Sequence, residues 1–129
     1  MEPDRLKSIP LFQTVSDEDL SQIAPFADEV RVEAGKELVR EGDFSYEFFA
    51  IEEGEAEVTR GGEHVADLGP GDFFGEIALL EPQRRTATVT ATTPVTAIAM
   101  HARDFHAMAE TMPVVYERVR AAMRERLAR

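Results

Sequence analysis

Residues 71–89 contain the residue types needed to hold an anion beside a sugar. Gly75 has no Cβ, so the backbone can approach a ligand closely, and the free N–H groups of a helix that begins there attract an anion. Arg85 lies ten residues further on, and its forked, charged guanidinium matches two phosphate oxygens. Glu76 lies between them, and an ionised carboxylate accepts hydrogen bonds from hydroxyl groups. These residues predict a site for a small ligand that carries a phosphate and sugar hydroxyls.

Turn and strand signals predict how the chain places this stretch. Gly71 and Asp72 predict a turn, and the apolar residues that follow Glu76 predict a short helix packed on a core. Pro82 ends that helix, because proline disfavours the α conformation in the residue before it. β-branched residues in alternation then predict a strand: Thr86, Thr88 and Val89.

Two segments of this stretch carry a family resemblance. They read Phe-Gly-Glu-Ile-Ala-Leu-Leu from residue 74 and Arg-Thr-Ala from residue 85, and together they resemble the phosphate-binding cassette of cyclic nucleotide-binding domains. The resemblance implies that Arg85 holds the cyclic phosphate and that Glu76 binds the ribose 2′-hydroxyl. It also implies that backbone amides around Gly75 and Ala78 complete the anion site.

The same resemblance implies which further residues serve the cassette and which ligand it takes. Four residues are expected to support it: Phe74, Ile77, Leu79 and Ala87. Thr86 is expected beside the phosphate, and in the family a hydroxyl residue there can accept a hydrogen bond from the guanine amino group. We expect both cAMP and cGMP to bind, with cAMP as the physiological ligand. Arg84 stands where many members have proline, although ion-channel members with paired arginines look similar.

Length, composition and charge limit the function classes. A chain of 129 residues predicts one domain, and the absence of cysteine excludes disulfides, thiolate metal sites and thiol nucleophiles. The net charge of −11 disfavours binding to a nucleic-acid backbone. No apolar run is long enough to cross a membrane, and the first residues do not form a signal peptide. A cytoplasmic protein is expected.

The rest of the sequence predicts an antiparallel jelly-roll β-barrel with flanking helices. Residues 1–27 predict a helical lead-in in two pieces, broken by Pro10, with Ser16 as the N-cap of the second piece. Residues 28–101 predict short strands separated by turns, including a hairpin at Gly61-Gly62. Three aromatic residues are expected in the barrel core: Tyr46, Phe48 and Phe49. The jelly roll is also what the family resemblance implies.

Residues 102–129 predict two helices, the second beginning at Pro113. An apolar stripe on the second helix includes Val115 and Val119, with arginines and glutamates opposite. The stripe can pack on the domain, and the resemblance implies two further roles, a lid over the base or the seam of a homodimer. Three residues are expected to close over the base: Val119, Arg120 and Met123. The excess of arginine on this helix predicts either a solvated face or docking on the acidic remainder of the chain.

The sequence therefore predicts a regulatory cyclic nucleotide sensor without catalytic chemistry, cofactor or metal. It is expected to signal by movement of its C-terminal helix to an effector protein or domain in trans. Two alternatives remain open. In the first, Glu76 and Arg85 pair with each other and the domain is an interaction scaffold with an unliganded pocket. The second is a small jelly-roll enzyme, which the lack of paired histidines disfavours, since the three histidines are at 64, 101 and 106.

Overall fold

A computed structural model describes residues 1–75 and 83–127 of the chain. For a few residues inside helices and strands it describes the backbone alone: Leu11, Ser45, Gln83, Met123 and residues 125–127. Within these ranges the structure contains short helices at each end of the chain and ten strands between them.

The N-terminal helices follow the predicted break at Pro10. Helix α1 spans Pro3–Lys7, a 3-10 turn spans Pro10–Phe12, helix α2 spans Asp17–Ile23, and a second 3-10 turn spans Ala24–Phe26. The Ser16 hydroxyl accepts a hydrogen bond from the backbone N–H of Asp19 at 3.1 Å. The predicted N-cap of α2 is thereby confirmed.

The ten strands pair in antiparallel fashion in two four-stranded sheets and one two-stranded ribbon. They are β1 Ala27–Val32, β2 Glu37–Val39, β3 Phe44–Ser45, β4 Glu47–Glu53, β5 Ala56–Arg60, β6 Glu63–Leu68, β7 Phe73–Phe74, β8 Gln83–Arg84, β9 Thr88–Ala91 and β10 Val95–His101. One sheet has the order β1-β10-β4-β7, the other has the order β2-β9-β5-β6, and β3 pairs with β8.

This arrangement confirms the predicted fold class, a jelly roll of antiparallel sheets with flanking helices. The sheets differ from the expected barrel in one respect, because the described strands form two separate sheets rather than one closed hydrogen-bonded ring. None of the described helices is long and apolar enough to cross a membrane.

The strand β4 is buried on both of its faces. Phe48 and Ala50 pack in a cluster with the helices, whereas Ile51 packs in a second cluster between the two sheets. Phe48 and Phe49 are thus in the core as predicted, but the prediction for Tyr46 is wrong. Tyr46 precedes β4, is 50 % exposed, and stacks on His101 with ring centroids 6.1 Å apart.

The chain ends in helices α3 (Ala102–Thr111) and α4 (Pro113–Leu127). Val115 and Val119 of α4 are buried in the cluster that also contains Leu6 and Phe12 from the N-terminal helices. On the same side of α4, Arg118 donates to both carboxylate oxygens of Asp19, at 3.1 and 3.2 Å. The apolar stripe of α4 therefore packs on the helices of its own chain, and one of its arginines docks on an acidic residue there.

Candidate functional site

The backbone on each side of Arg85 is held by the turn that precedes β3. The N–H of Arg85 donates to the carbonyl oxygen of Asp43 at 2.7 Å, and its carbonyl oxygen accepts from the N–H of Gly42 at 2.9 Å. Arg85 directly follows β8, which pairs with β3. Two backbone hydrogen bonds therefore fix the position of the Arg85 Cα, from which its side chain extends.

The Arg85 side chain then reaches inward to the start of β4. Its Nη2 donates to the carbonyl oxygen of Glu47 at 2.6 Å, and its guanidinium carbon lies 6.0 Å from the centroid of the Phe49 ring. The residue is partly buried, and that burial lowers the pKa of Arg85 below its usual value, with the Glu47 charge opposing the shift. Among the described residues, no carboxylate lies within 4 Å of this guanidinium.

Gly75 provides the space that the guanidinium occupies. Its φ is +81°, in the region that favours glycine, and a Cβ at this position would lie 2.4 Å from Nη1 of Arg85 and 2.6 Å from the carbonyl oxygen of Glu47. The groups that approach Gly75 closely are the cation and its backbone acceptor, whereas the prediction for Gly75 concerned the approach of a ligand.

These residues border a cavity of about 180 Å³. Its walls contain two arginines, two acidic residues and five apolar or aromatic residues: Arg40, Arg85, Asp43, Glu47, Leu38, Val39, Phe44, Tyr46 and Phe49. Arg40 is already paired with Glu37, since its Nε lies 2.9 Å from Oε2 of that residue. Within the described part of the cavity wall, Arg85 is thus the guanidinium that remains available to an anion. Pockets that enclose a whole small-molecule ligand are typically larger, roughly 300–1,000 Å³, so the described walls would enclose only part of a ligand of that size.

Three other residues of the predicted cassette are described by the structure, and each has a different environment. The Phe74 ring stacks on Phe49, with centroids 5.2 Å apart, and so supports the ring beneath Arg85. Thr86 is exposed in a bend rather than in the predicted strand, which begins at Thr88, and its carbonyl oxygen accepts from Nε of Arg60 at 3.1 Å. Ala87 is partly buried. The remaining predicted positions lie outside the described residues: Glu76, Ile77, Ala78 and Leu79.

The residues predicted to close over the base lie on α4. Val119 is fully buried in the helical cluster and not in the wall of the Arg85 cavity. Arg120 pairs with Glu117 at 3.7 Å, and only the backbone of Met123 is described. In this conformation, Val119 serves the packing of the helices.

Sequence reasoning missed the groups that position Arg85. Asp43 and Glu47 act through their carbonyl oxygens, which every residue type possesses, so their identity carries no signal for this role. Gly42 donates its N–H to Arg85 from a turn in which it adopts a φ of +90°. The two-residue strands β3 and β8 were also missed, because two residues are too few to show a period.

Comparisons with known proteins point to one family. The family model described as "Cyclic nucleotide-binding domain" matches residues 29–112. A cAMP-dependent protein kinase regulatory subunit of Eremothecium gossypii is 45 % identical over 91 residues, covering 70 % of this chain and 20 % of its own. A cyclic nucleotide-gated potassium channel of Rhizobium etli is 34 % identical over 119 residues, covering 92 % of this chain and 33 % of its own.

Solved structures give the same answer for the fold. The N-terminal domain of a transcriptional regulator from Streptomyces coelicolor superposes with a TM-score of 0.82 at 30 % identity, covering 92 % of this chain and 89 % of that domain. The chain spans between a fifth and a third of the length of the two curated relatives. The family match covers well over half of the sequence, and the chain belongs to the cyclic nucleotide-binding domain family.

Proposed function

We propose that this chain is a regulatory module that binds a cyclic nucleotide, with cAMP as its physiological ligand, and that it has no catalytic chemistry of its own. The observation that carries the proposal is the state of Arg85. Its guanidinium is partly buried, contacts a backbone carbonyl, and has no carboxylate within 4 Å among the described residues. A partly desolvated cation gains from a bound anion, because burial weakens its contact with water and the Glu47 charge compensates only in part.

The remaining roles in this proposal follow the family pattern. Arg85 holds the cyclic phosphate, with Thr86 beside it, and Glu76 binds the ribose 2′-hydroxyl. Backbone amides around Gly75 and Ala78 complete the anion site. The described part of the site is compatible with this arrangement, since a Cβ at Gly75 would lie 2.4 Å from Nη1 of Arg85 and only glycine leaves room for the guanidinium.

The proposal includes an output through α4 to an effector in trans, in the cytoplasm. It is supported by a continuous set of contacts from the site to the helices. Arg85 binds the carbonyl oxygen of Glu47 at the start of β4, and Phe48 of the same strand packs edge to face on Phe12. Phe12 shares its cluster with Val119 of α4. A ligand bound at Arg85 would shift α4 through this path only if it bound two conformations of the chain, with different positions of α4, with different affinities.

The deciding experiment is thermal unfolding of the chain with added cAMP, together with calorimetric titration. A ligand that binds only the folded state at about 100 times its Kd stabilises that state by about 2.7 kcal/mol, so the melting temperature must rise with cAMP concentration. Adenosine, which lacks the phosphate, is the matched control and should have little effect. Competition between cAMP and cGMP measures the base preference. No stabilisation and no heat with either nucleotide would favour the scaffold with an unliganded pocket.

A further inference from the structure

Arg84 and Phe44 lie opposite each other in the ribbon formed by β3 and β8. The guanidinium carbon of Arg84 lies 4.2 Å from the centroid of the Phe44 ring, and Nη1 of Arg84 donates to the carbonyl oxygen of Gly42 at 2.8 Å. Arg84 therefore makes one contact with the ring on the neighbouring strand and one with the turn that leads into that strand.

Both of these contacts act on the turn that holds Arg85. The N–H of Gly42 donates to the carbonyl oxygen of Arg85, while the carbonyl oxygen of Gly42 accepts from the side chain of Arg84. The adjacent residue Asp43 accepts the N–H of Arg85. Two consecutive arginines thus hold the turn at Gly42 and Asp43. Arg84 holds it through its side chain, and Arg85 holds it through its backbone.

The pair contributes little to the core, which points to a local role. Phe44 is 54 % exposed and Arg84 is exposed, and exposed cation–π pairs are weak contributors to global stability. A bidentate contact between a guanidinium and a phosphate depends instead on orientation, so a small displacement of the backbone at Arg85 has a direct effect on it.

We propose that Arg84 and Phe44 form a clamp that positions Arg85 for its anionic ligand. Arg84 is a positioning residue and not a second phosphate ligand. One face of its guanidinium lies against the Phe44 ring, and its Nη1 donates to the carbonyl oxygen of Gly42. The inference rests on the proposed function, since it explains how the cation of that same site is oriented.

The test compares cAMP affinity in four variants: Arg84→Gln, Arg84→Lys, Phe44→Leu and Phe44→Tyr. Phe44→Leu keeps every charge but removes the ring, so it should weaken binding about two- to five-fold, the change that corresponds to an exposed cation–π pair. Arg84→Lys keeps the charge but loses the planar fork, so it should lose as much affinity as Arg84→Gln. Phe44→Tyr keeps the ring and should retain the wild-type affinity. The double variant Phe44→Leu/Arg84→Gln should lose little more affinity than Arg84→Gln alone.

A role in stability alone would give a different result. The melting temperature without nucleotide should stay within about 2 °C of the wild type in each variant, since surface changes cost little. Arg31→Gln serves as the control for a lost surface charge, because Arg31 is highly exposed on β1 and pairs with Glu29. Wild-type affinity in Arg84→Lys or in Phe44→Leu would overturn the clamp.

The clamp can also be judged without nucleotide. The Nε–Hε signal of Arg85 in the NMR spectrum of the free protein reports the environment of its guanidinium, and Phe44→Leu should shift or broaden it. Failure of the wild-type protein to bind cAMP would reject the proposed function, but the NMR measurement would still test whether Phe44 positions Arg85. An unchanged Arg85 signal in Phe44→Leu would reject the clamp, whatever the nucleotide does.

Discussion

Arg85 carries the proposed function at the level of single residues, and its replacement is the most direct test. Arg85→Ala should weaken cAMP binding by about 2–5 kcal/mol, because the phosphate would lose its charged partner in a partly buried site. Isothermal titration calorimetry measures this loss. Arg31→Ala is the matched control, since it removes an exposed arginine from β1 and should leave affinity unchanged. Equal affinity in Arg85→Ala and the wild type would show that the phosphate is held elsewhere.

Gly75 gives a second prediction, which separates backbone strain from lost space. Gly75→Ala should reduce both stability and cAMP affinity, because the new Cβ would lie 2.4 Å from Nη1 of Arg85 and 2.6 Å from the carbonyl oxygen of Glu47. The affinity loss should reach about tenfold or more, equivalent to about 1.4 kcal/mol.

Gly35→Ala is the control for this change. Gly35 has a φ of +89°, close to that of Gly75, but a Cβ there would have nothing within 4 Å. It should lose about 1–3 kcal/mol of stability from strain and keep its affinity. Similar affinities in the two variants would mean that Gly75 does not make room for Arg85.

Single residues also show what the sequence could and could not predict about the site. Gly75 and Arg85 were recognisable because only glycine provides the space and only arginine provides a fixed fork of donors. The acceptors that orient Arg85 were not recognisable, since Asp43 and Glu47 use their carbonyl oxygens. The exposure of Tyr46 was missed because β4 begins at Glu47, one residue after the start of the aromatic run.

At the level of helices and strands, the pair between Asp19 of α2 and Arg118 of α4 leads to a third prediction. The Asp19 side chain is 4 % exposed and the Arg118 side chain is 61 % exposed. Arg118→Met should lower the free energy of unfolding by about 1–3 kcal/mol, because a buried carboxylate loses its donor. Urea denaturation measures the change.

Two further variants test the cause of that loss. Arg124→Met removes an exposed arginine from the same helix and should be nearly neutral. Asp19→Asn in the Arg118→Met background should recover part of the loss, since it removes the unpaired buried charge. A loss of equal size in Arg124→Met would point to helix propensity or net charge instead of this pair.

Strong local signals were sufficient to predict several of the elements. The hairpin between β5 and β6 was predictable because Gly61 and Gly62 both adopt positive φ, 59° and 83°, as a two-residue hairpin loop requires. The apolar stripe of α4 was predictable from its period, but a period does not identify what a face packs against. Val115 and Val119 therefore allowed a lid, a dimer seam or a packed helix, and the structure buries them in the helical cluster, where α4 contacts α3 and the turn at Pro10–Phe12.

The charge of the whole molecule gives a fourth prediction, on the rate of ligand capture. The net charge of −11 repels an anionic nucleotide at long range, whereas the attraction of Arg85 is local and partly shielded from salt by burial. Raising the ionic strength from about 10 mM to about 100 mM shortens the screening length from about 30 Å to about 10 Å. The association rate constant for cAMP, measured by stopped flow, should therefore hold steady or rise. A steep decrease would instead indicate a basic steering surface.

The contact between the N-terminal helices and α4 has a mechanical consequence. The first and the last elements of the fold share one cluster, which contains Leu6, Phe12, Val115 and Val119. A tension applied through the two ends of the chain therefore loads this cluster, which also contains residues of the sheet β1-β10-β4-β7 such as Phe48 and Ile98. A neighbouring domain that pulls on the two ends would therefore work against the Asp19–Arg118 pair and this cluster together.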